Sequence, residues 1–348
     1  MNTTPVIIIN WNGIKDTLEC IESVLSLKKV DYHIHLIDNN SDNDEGEQLK
    51  ECYHSNQRIT CHLYSKNYGF TKAHIKIWEE ILTHQSCEYI ALLNNDTVVD
   101  ENWLFELIKS AKQNDAQVIS SKMINYYNRS IMDNAGHFML NTGEIMPIGH
   151  GKPIEKYKHY LENVGACAGA CLYKTNMIKE IGFFDPYFST GYEDAEYGLR
   201  ATILNYKCIY SPESIVFHKM GQSIKKIFDK SYATMIQTSI LYTYFKLIPK
   251  EKIILDSPSI IFKGISIIII DIVLLRFDYL EIMAKSWIKT FKQKEIIINK
   301  RSETYENTPR QLIKIRSLIS KTTFFLLFDI KRFLKLISSN RPSSLEQY

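Results

Sequence analysis

Over the first hundred residues, short runs of β-branched and aliphatic side chains alternate with longer stretches of helical period. Val6 to Ile9, His33 to Ile37, Cys61 to Tyr64 and Tyr89 to Leu93 have strand length, and Ile14 to Leu27, Gly46 to His54 and Thr71 to Thr83 repeat apolar residues at helical spacing. Strand, helix and strand in this rhythm predict an α/β fold, a parallel sheet with helices on both faces. In such sheets ligands bind beyond the carboxyl ends of the strands. Three strands run out into polar residues there: Asn10-Trp11-Asn12 after the first, Asp38-Asn39-Asn40-Ser41 after the second and Asn94-Asn95-Asp96 after the last.

A second block, Gly165 to Ser223, is rich in Gly, aromatics and acids and reads as the other wall of the same cleft. From about Ser231 the pattern changes to helices of Ile, Leu, Phe and Lys, so the expected organisation is a domain over 1–230 and a basic helical region over 231–348. Ile260 to Arg276 is the most apolar stretch. Lys263 and Asp271 leave seven uncharged residues between them, short of the ~18–20 that span a bilayer, which predicts a core or interfacial helix. On a wheel of ~100° per residue the last predicted helix, about 309–337, places Leu312, Ile315, Ile319 and Ile330 opposite Arg310, Lys314, Lys321 and Arg332, with Phe324 and Phe328 intruding on the basic face. Such a helix suits the plane of an anionic membrane surface, or a solvated face packed on the body.

Charge sharpens this picture. The chain carries +3 overall, but it divides into −9 up to His218 (19 Lys and Arg, 28 Asp and Glu) and +12 from Lys219 onward (23 and 11). No RNP, zinc-finger or helix-turn-helix pattern accompanies the basic tail, so nucleic acid is not expected as its partner. A composition of 45% hydrophobic and 23% charged residues excludes disordered and collagen-like chains. Seven scattered cysteines without a C-x-x-C pair suggest neither a disulfide framework nor a thiolate zinc site. A reducing compartment fits, and Met1 to Ile9 lacks the regions of an export signal.

Three clusters carry chemistry. Asn94, Asn95 and Asp96 put two amides and a carboxylate where a buried strand leaves the sheet. Hard oxygen ligands there suit Mg²⁺ or Mn²⁺, although the same residues commonly cap strands and start turns. Glu193, Asp194 and Glu196 open a helix, where the dipole favours negative charge, with Arg200 one turn past Glu196 to pair with it. Capping accounts for one or two of these acids, but not for three beside a loop of Gly and aromatics. Ser211 to His218 reads as a strand ending in a histidine, a candidate metal or diphosphate contact as well as an ordinary structural residue.

These pieces form a series: Val6 to Gly13, Cys20 to Leu25, Ile37 to Ser41, Asn67-Tyr68-Gly69-Phe70, Leu93 to Thr97, Gly169 to Leu172, Ile181 to Asp185, Glu193-Asp194 with Arg200, and His218 with Gly221 and Ser223. In this order, across residues 5–225, they resemble the inverting nucleotide-sugar enzymes of glycosyltransferase family 2, especially the bacterial rhamnosyltransferase-like branch. The resemblance implies a GT-A fold, a Rossmann-like and mostly parallel sheet flanked by helices, with a C-terminal helical extension. It implies that Trp11 packs on the nucleotide base, that Asn10 and Asn12 lie near base or ribose, and that Asp38 accepts from the base imide. Asn67, Gly69, Lys72, Asn94, Asn95 and Gly169 are further donor-binding positions. Asp96 resembles the last acid of the D-x-D motif and His218 the later metal or diphosphate contact, holding Mg²⁺ or Mn²⁺. Asp194, with Glu193 before it, resembles the catalytic base.

The implied activity is transfer of a sugar, L-rhamnose being one candidate, from a dTDP- or UDP-sugar to a glycan or lipid-linked glycan acceptor. The setting is bacterial cell-envelope polysaccharide synthesis, on the cytoplasmic face of the plasma membrane. The chain departs from the branch at Thr71-Lys72-Ala73-His74-Ile75, a bulkier and more basic diphosphate-side loop in which Lys72 or His74 is a phosphate candidate. It departs again at Asn94, which replaces the first acid of D-x-D, and at Glu196-Tyr197, where Asp-Leu is usual. Two other readings are a non-catalytic nucleotide-sugar-binding scaffold and a sugar nucleotidyltransferase; no Gly-rich basic loop follows the first strand, which argues against the latter.

Overall fold

The computed structural model describes residues 3–84, 86–219, 229–306 and 322–323. They divide into two compact units, Met1–His137 with Pro147–Met220, and Phe138–Met146 with Gly221–Tyr348. The division thus falls slightly before residue 230, and a short segment from mid-chain joins the second unit.

In chain order the strands are β1 (Thr4–Asn10), β2 (Tyr32–Asp38), β3 (Ile59–Leu63), β4 (Tyr89–Asn94), β5 (Thr97–Val99), β6 (Val118–Asn125) and β7 (Met132–Asn134). They continue with β8 (His137–Leu140), β9 (Ile145–Pro147), β10 (Leu161–Glu162), β11 (Ala170–Lys174) and β12 (Cys208–His218). The main sheet runs β10-β12-β6-β11-β4-β1-β2-β3, with β5 added on β12 and β7 on β6, while β8 and β9 pair in a small separate sheet. Strands β3, β2, β1 and β4 are mutually parallel, β11 is antiparallel to both β4 and β6, and β12 is parallel to β6.

Side-chain alternation along the buried strands separates two cores. Val6, Ile8, Ile34, Leu36 and Leu93 face one side, against Val24 of α1 (Ile14–Leu25), Leu49 of α2 (Glu45–Tyr53) and Leu104 of α4 (Trp103–Asn114). Ile7, Ile37, Ile90 and Leu92 face the other, against Trp78 of α3 (Gly69–His84), Ile178 of α5 (Thr175–Ile181) and Tyr197 of α6 (Glu193–Ile203). A strand covered on both faces must be apolar at every position, which is why Val6 to Ile9 reads as an unbroken run; each such side chain contributes ~1.5–3 kcal/mol of burial.

Strand direction then places the polar ends. Parallel β1, β2 and β4 finish together at Asn10, Asp38 and Asn94, antiparallel β11 starts at the same edge beside Gly169, and β6 and β12 end there at Asn125 and His218. The three predicted rim clusters share one edge with the histidine.

The second unit contains α7 (Lys230–Leu247), α8 (Lys250–Val273), α9 (Phe277–Lys292) and α10 (Lys294–Glu306). The apolar stretch 260–276 lies mostly in α8. It is not a core helix: only 6% of the most apolar 18-residue window of α8 is buried. Gly221, Ser223 and nearly all of the predicted helix 309–337 lie outside the described residues. Thr322 and Thr323 are extended and pair with β8, which interrupts that helix.

Candidate active site

The rim is organised around Asn10. Fully buried, its Nδ2 donates to Asp38 Oδ1 at 2.9 Å and to Ser41 Oγ and Glu45 Oε2 at 3.0 Å, while its Oδ1 accepts from Thr17 Oγ1 at 2.6 Å. Glu45 also accepts the backbone N–H of Gly13 and Ile14, covering orphan donors where α1 begins. Asp38 Oδ2 closes the turn by accepting Ser41 N–H at 3.0 Å. Asn10 is committed to joining β1, β2 and α1. Trp11 is half-buried beside it, and Asn12 exchanges hydrogen bonds with Asp42 at 2.9 and 2.7 Å.

The loop before α3 is fastened at both ends. Asn67 Oδ1 accepts Gly69 N–H at 2.7 Å and Asn39 Nδ2 at 3.0 Å, and Asn39 Oδ1 accepts Tyr68 N–H at 3.0 Å. Gly69 has φ +71°, and a Cβ there would lie 2.9 Å from the carbonyl oxygen of Ser189, so only glycine lets the loop touch the 185–192 segment. Lys72 is exposed on the first turn of α3. His74 does not belong with it: buried among Phe70, Trp78 and Phe184, it donates to Phe70 O at 2.9 Å, and burial pushes its pKa down to about 4. A neutral core histidine is not a phosphate contact.

On the far side of β4, Asn94 N–H donates to Gly169 O at 2.8 Å and Asn95 Nδ2 donates to Thr17 Oγ1 at 2.9 Å. Asp96 is buried, with Oδ1 3.2 Å from His218 Nε2, and His218 Nδ1 donates to Asp133 Oδ2 at 2.7 Å. Asp133 Oδ1 in turn lies 3.2 Å from His150 Nδ1. Burial opposes charge throughout this chain of groups, yet the neighbours prevail. Asp96 is held below the usual carboxylate range by His218 and Asp133 by His150 and His218, and the carboxylates push His218 up to about 10. Lys219 anchors the strand end, its N–H on Asp96 O at 2.9 Å and its Nζ 2.6 Å from both Asp16 and Glu19.

Among the described residues no three His, Cys, Asp or Glu side chains gather around one point as a complete metal cage. Once His218 gives up its Nε2 proton, Asp96 and His218 nevertheless fit an ion that takes two protein ligands. Adjacent octahedral ligands at ~2.1 Å from Mg²⁺ stand ~3 Å apart, close to their observed 3.2 Å. Asp133 on the opposite ring nitrogen is the kind of orienting carboxylate that metal-bound histidines have.

The third cluster starts at a sharp bend, Gly191 and Tyr192 at φ +81° and +76°, which leads into α6. Glu193 is buried with Oε2 unpartnered, and burial followed by the charge of Asp194 raises its pKa to about 8. Asp194 Oδ2 accepts Ala168 N–H at 2.9 Å and Oδ1 accepts Ala195 N–H at 2.7 Å. His137 is buried nearby with Nδ1 unpartnered; burial depresses its pKa while the charge of Asp194 works the other way. Arg200 is structural, paired with Glu196 at 3.0 Å and donating to the carbonyls of Ile181 and Phe183.

One short segment joins the acidic loops. Ala168 N–H holds Asp194, Gly169 O holds Asn94, and the half-buried Cys167 thiol, raised first by desolvation, feels both Asp194 and Asp133. The helix carrying Asp194 reaches this segment because Gly198 packs on Gly165, where a Cβ on Gly198 would come within 2.4 Å of the Gly165 Cα. Asp133, His137 and His150 were not singled out from sequence; the only local sign is the Met132-Asp133-Asn134-Ala135-Gly136-His137 turn.

The fold this defines is GT-A. Similar solved structures include GalNAc-T7 with UDP, GalNAc and Mn²⁺, at TM-score 0.54 and 16% identity over 71% of this chain and 51% of that one. They also include the mannosyltransferase PcManGT from Pyrobaculum calidifontis with GDP-Man and Mn²⁺, at TM-score 0.48 and 11% identity over 70% and 63%. The chain spans about half the length of the first and less than two thirds of the second. Residues 6–182, just over half of the sequence, match the family model described as glycosyl transferase family 2, and the chain belongs to that family. It is 23% identical over 233 residues, 66% of this chain and 75% of the relative, to the glycosyltransferase GlyG of Streptococcus pneumoniae serotype 4.

Proposed function

We propose that this glycosyltransferase is an inverting enzyme that moves a sugar from a nucleoside-diphosphate donor to a hydroxyl of a glycan or lipid-linked glycan. Its place is bacterial surface polysaccharide synthesis, at the cytoplasmic face of the plasma membrane. The rhamnosyltransferase-like motifs make dTDP-L-rhamnose the first donor to test and UDP-sugars the second. The observation that carries this reading is the short link through residues 168 and 169, where Ala168 N–H holds Asp194 and Gly169 O holds Asn94, two residues before the Asp96 that pairs with His218.

The donor's base lies on Trp11 with its imide on Asp38, and its diphosphate lies along Asn67, Gly69, Lys72 and the Asn94 to Asp96 turn, with Gly169 bordering the sugar. Mg²⁺ or Mn²⁺, held by Asp96 and His218, would offset negative charge on the departing diphosphate. Asp194, fixed by two backbone donors, accepts the proton of the acceptor hydroxyl. The new C–O bond forms at the anomeric carbon as the bond to the diphosphate breaks, and the bonding pair leaves with the nucleoside diphosphate. Glu193 keeps its own proton near neutral pH and is a neighbour of the base, not a second one.

The test is a nucleotide-sugar panel with Mg²⁺ or Mn²⁺, scored by thermal shift, nucleoside diphosphate release and the anomeric configuration of the product. Release with one donor and an inverted product is expected. Retention of configuration overturns the single displacement, and no release with any donor overturns the transferase reading.

A further inference from the structure

In the second unit the usual distribution of polarity is reversed. Past the exposed Lys250 and Glu251 of its first turn, the ionisable residues of α8 lie on one stripe: at ~100° per residue Lys252, Asp256, Lys263 and Asp271 fall within about 100° of one another. That stripe faces inward. Lys252 and Asp256 are buried and paired at 2.7 Å, Lys263 pairs with Glu144, and Asp271 is buried. Past Glu251 in the first turn the opposite stripe is open and apolar, with Ile254, Ile261, Ile265, Ile269 and Val273 each more than half exposed.

Helix α9 repeats the inversion. It packs on α7 through Ile282, Ser286 and Thr290, with Ser286 Oγ donating to Thr234 O at 3.2 Å, and it leaves Phe277, Ile288 and Phe291 exposed. Helix α7 buries Thr238, Ser239 and Thr243. A helix hydrating its apolar face while burying its charges is unfavourable in water and favourable in hydrocarbon, where ionisable groups turn inward and pair.

We infer that the exposed face of α8 and α9 embeds in the hydrocarbon of a phospholipid bilayer. This deepens the membrane placement proposed above and rests on it. Length and flanking charge agree with that occupant. The 24 residues of α8 extend ~36 Å against a hydrocarbon core of ~30 Å, with a mean hydropathy of 2.0 in the apolar window. The exposed end of α9 interleaves Trp287 and Phe291 with Lys285, Lys289 and Lys292, the mixture that occupies the headgroup zone. The anchor is thus the middle of the C-terminal region, working by apolar insertion.

Flotation of the full-length protein with neutral phosphatidylcholine vesicles and with vesicles containing phosphatidylglycerol tests this. Wild type is expected to float with both and to stay bound in 1 M NaCl. Its Trp emission is expected to be quenched by bromolipids, and Trp287→Phe to lose most of that quenching. The triple variant Ile261→Glu, Ile265→Glu, Ile269→Glu is expected to bind at least ~10-fold more weakly with an unchanged circular dichroism spectrum. Three results overturn the inference: no flotation of wild type, binding to anionic vesicles alone that salt releases, or a wild-type dimer that the triple variant dissociates without vesicle affinity. Nucleoside diphosphate release by the triple variant is read in parallel. Vesicle binding without release by either protein faults the transferase reading and leaves the lipid face standing.

Discussion

The two acidic clusters on the rim of the first unit use the same side chains to opposite electrostatic ends. At the β4 edge, Asp96 and Asp133 are buried but alternate with His218 and His150, so each negative charge has a cationic neighbour and the carboxylates stay ionised. At the start of α6, Glu193 is equally buried and meets no cation among the described residues; its neighbour is another carboxylate, and it holds a proton to about pH 8. What faces a buried acid decides whether it keeps its charge or its proton. The first arrangement suits gripping charge, and the second suits a site where a proton changes hands.

The contrast breaks most directly at Asp194. Asp194→Asn removes the acceptor for the hydroxyl proton and keeps the shape, so turnover should fall by ~10³-fold or more while donor affinity stays within about twofold. Nucleoside diphosphate release against calorimetric donor binding separates the two. Near-normal release would move the base elsewhere, with His137 the next group to change.

Asp96→Ala should act on binding. It removes one of two proposed ion ligands and leaves His218 with Asp133 alone, so Mn²⁺-dependent donor affinity should drop by ~100-fold, with a smaller loss in the metal-free protein. Asp133→Asn makes a finer cut. The His218 bond at 2.7 Å keeps its shape but loses its charge, and Mn²⁺ affinity read by electron paramagnetic resonance on the protein alone should weaken by ~10-fold. If Asp133→Asn lowers the melting temperature without touching Mn²⁺ affinity, the carboxylate is merely structural, and the comparison of the clusters loses one side.

Much of this frame can be read from the chain. Strands covered on both faces, such as Val6 to Ile9, and helices with a single buried stripe announce themselves by period, and parallel direction then puts Asn10, Asp38 and Asn94 on one edge. The segment carrying Asp133, His137 and His150 is different. Its strands β7 to β10 are only two to four residues long, too short to set a period; β7 and β10 take their places by pairing with β6 and β12, and β8 and β9 pair in a sheet of their own. Helix α8 failed for a third reason. Counting Lys263 and Asp271 along the sequence shortens its apolar run, whereas around the helix both fall on the inner stripe and leave the outer one uninterrupted. The approach of α6 to residue 165 was also out of reach, because it depends on two glycines meeting across thirty-odd positions of chain.

The smallest effect sharpens the contrast from the proton-holding side. In the unfolded chain Glu193 releases its proton near 4.5, and in the folded protein near 8. Between these values the folded state binds the extra proton, so this residue's contribution to stability falls as pH rises from about 4.5 to 8 and is constant below that range. Glu193→Gln carries no charge at any pH and removes that dependence. Wild type and variant should therefore melt together at pH 5 and separate progressively above it, with the variant higher by roughly 4 °C at pH 8. Parallel melting curves from pH 5 to 8 would mean that Glu193 is ionised throughout, and that the α6 pair differs from the β4 cluster in position alone.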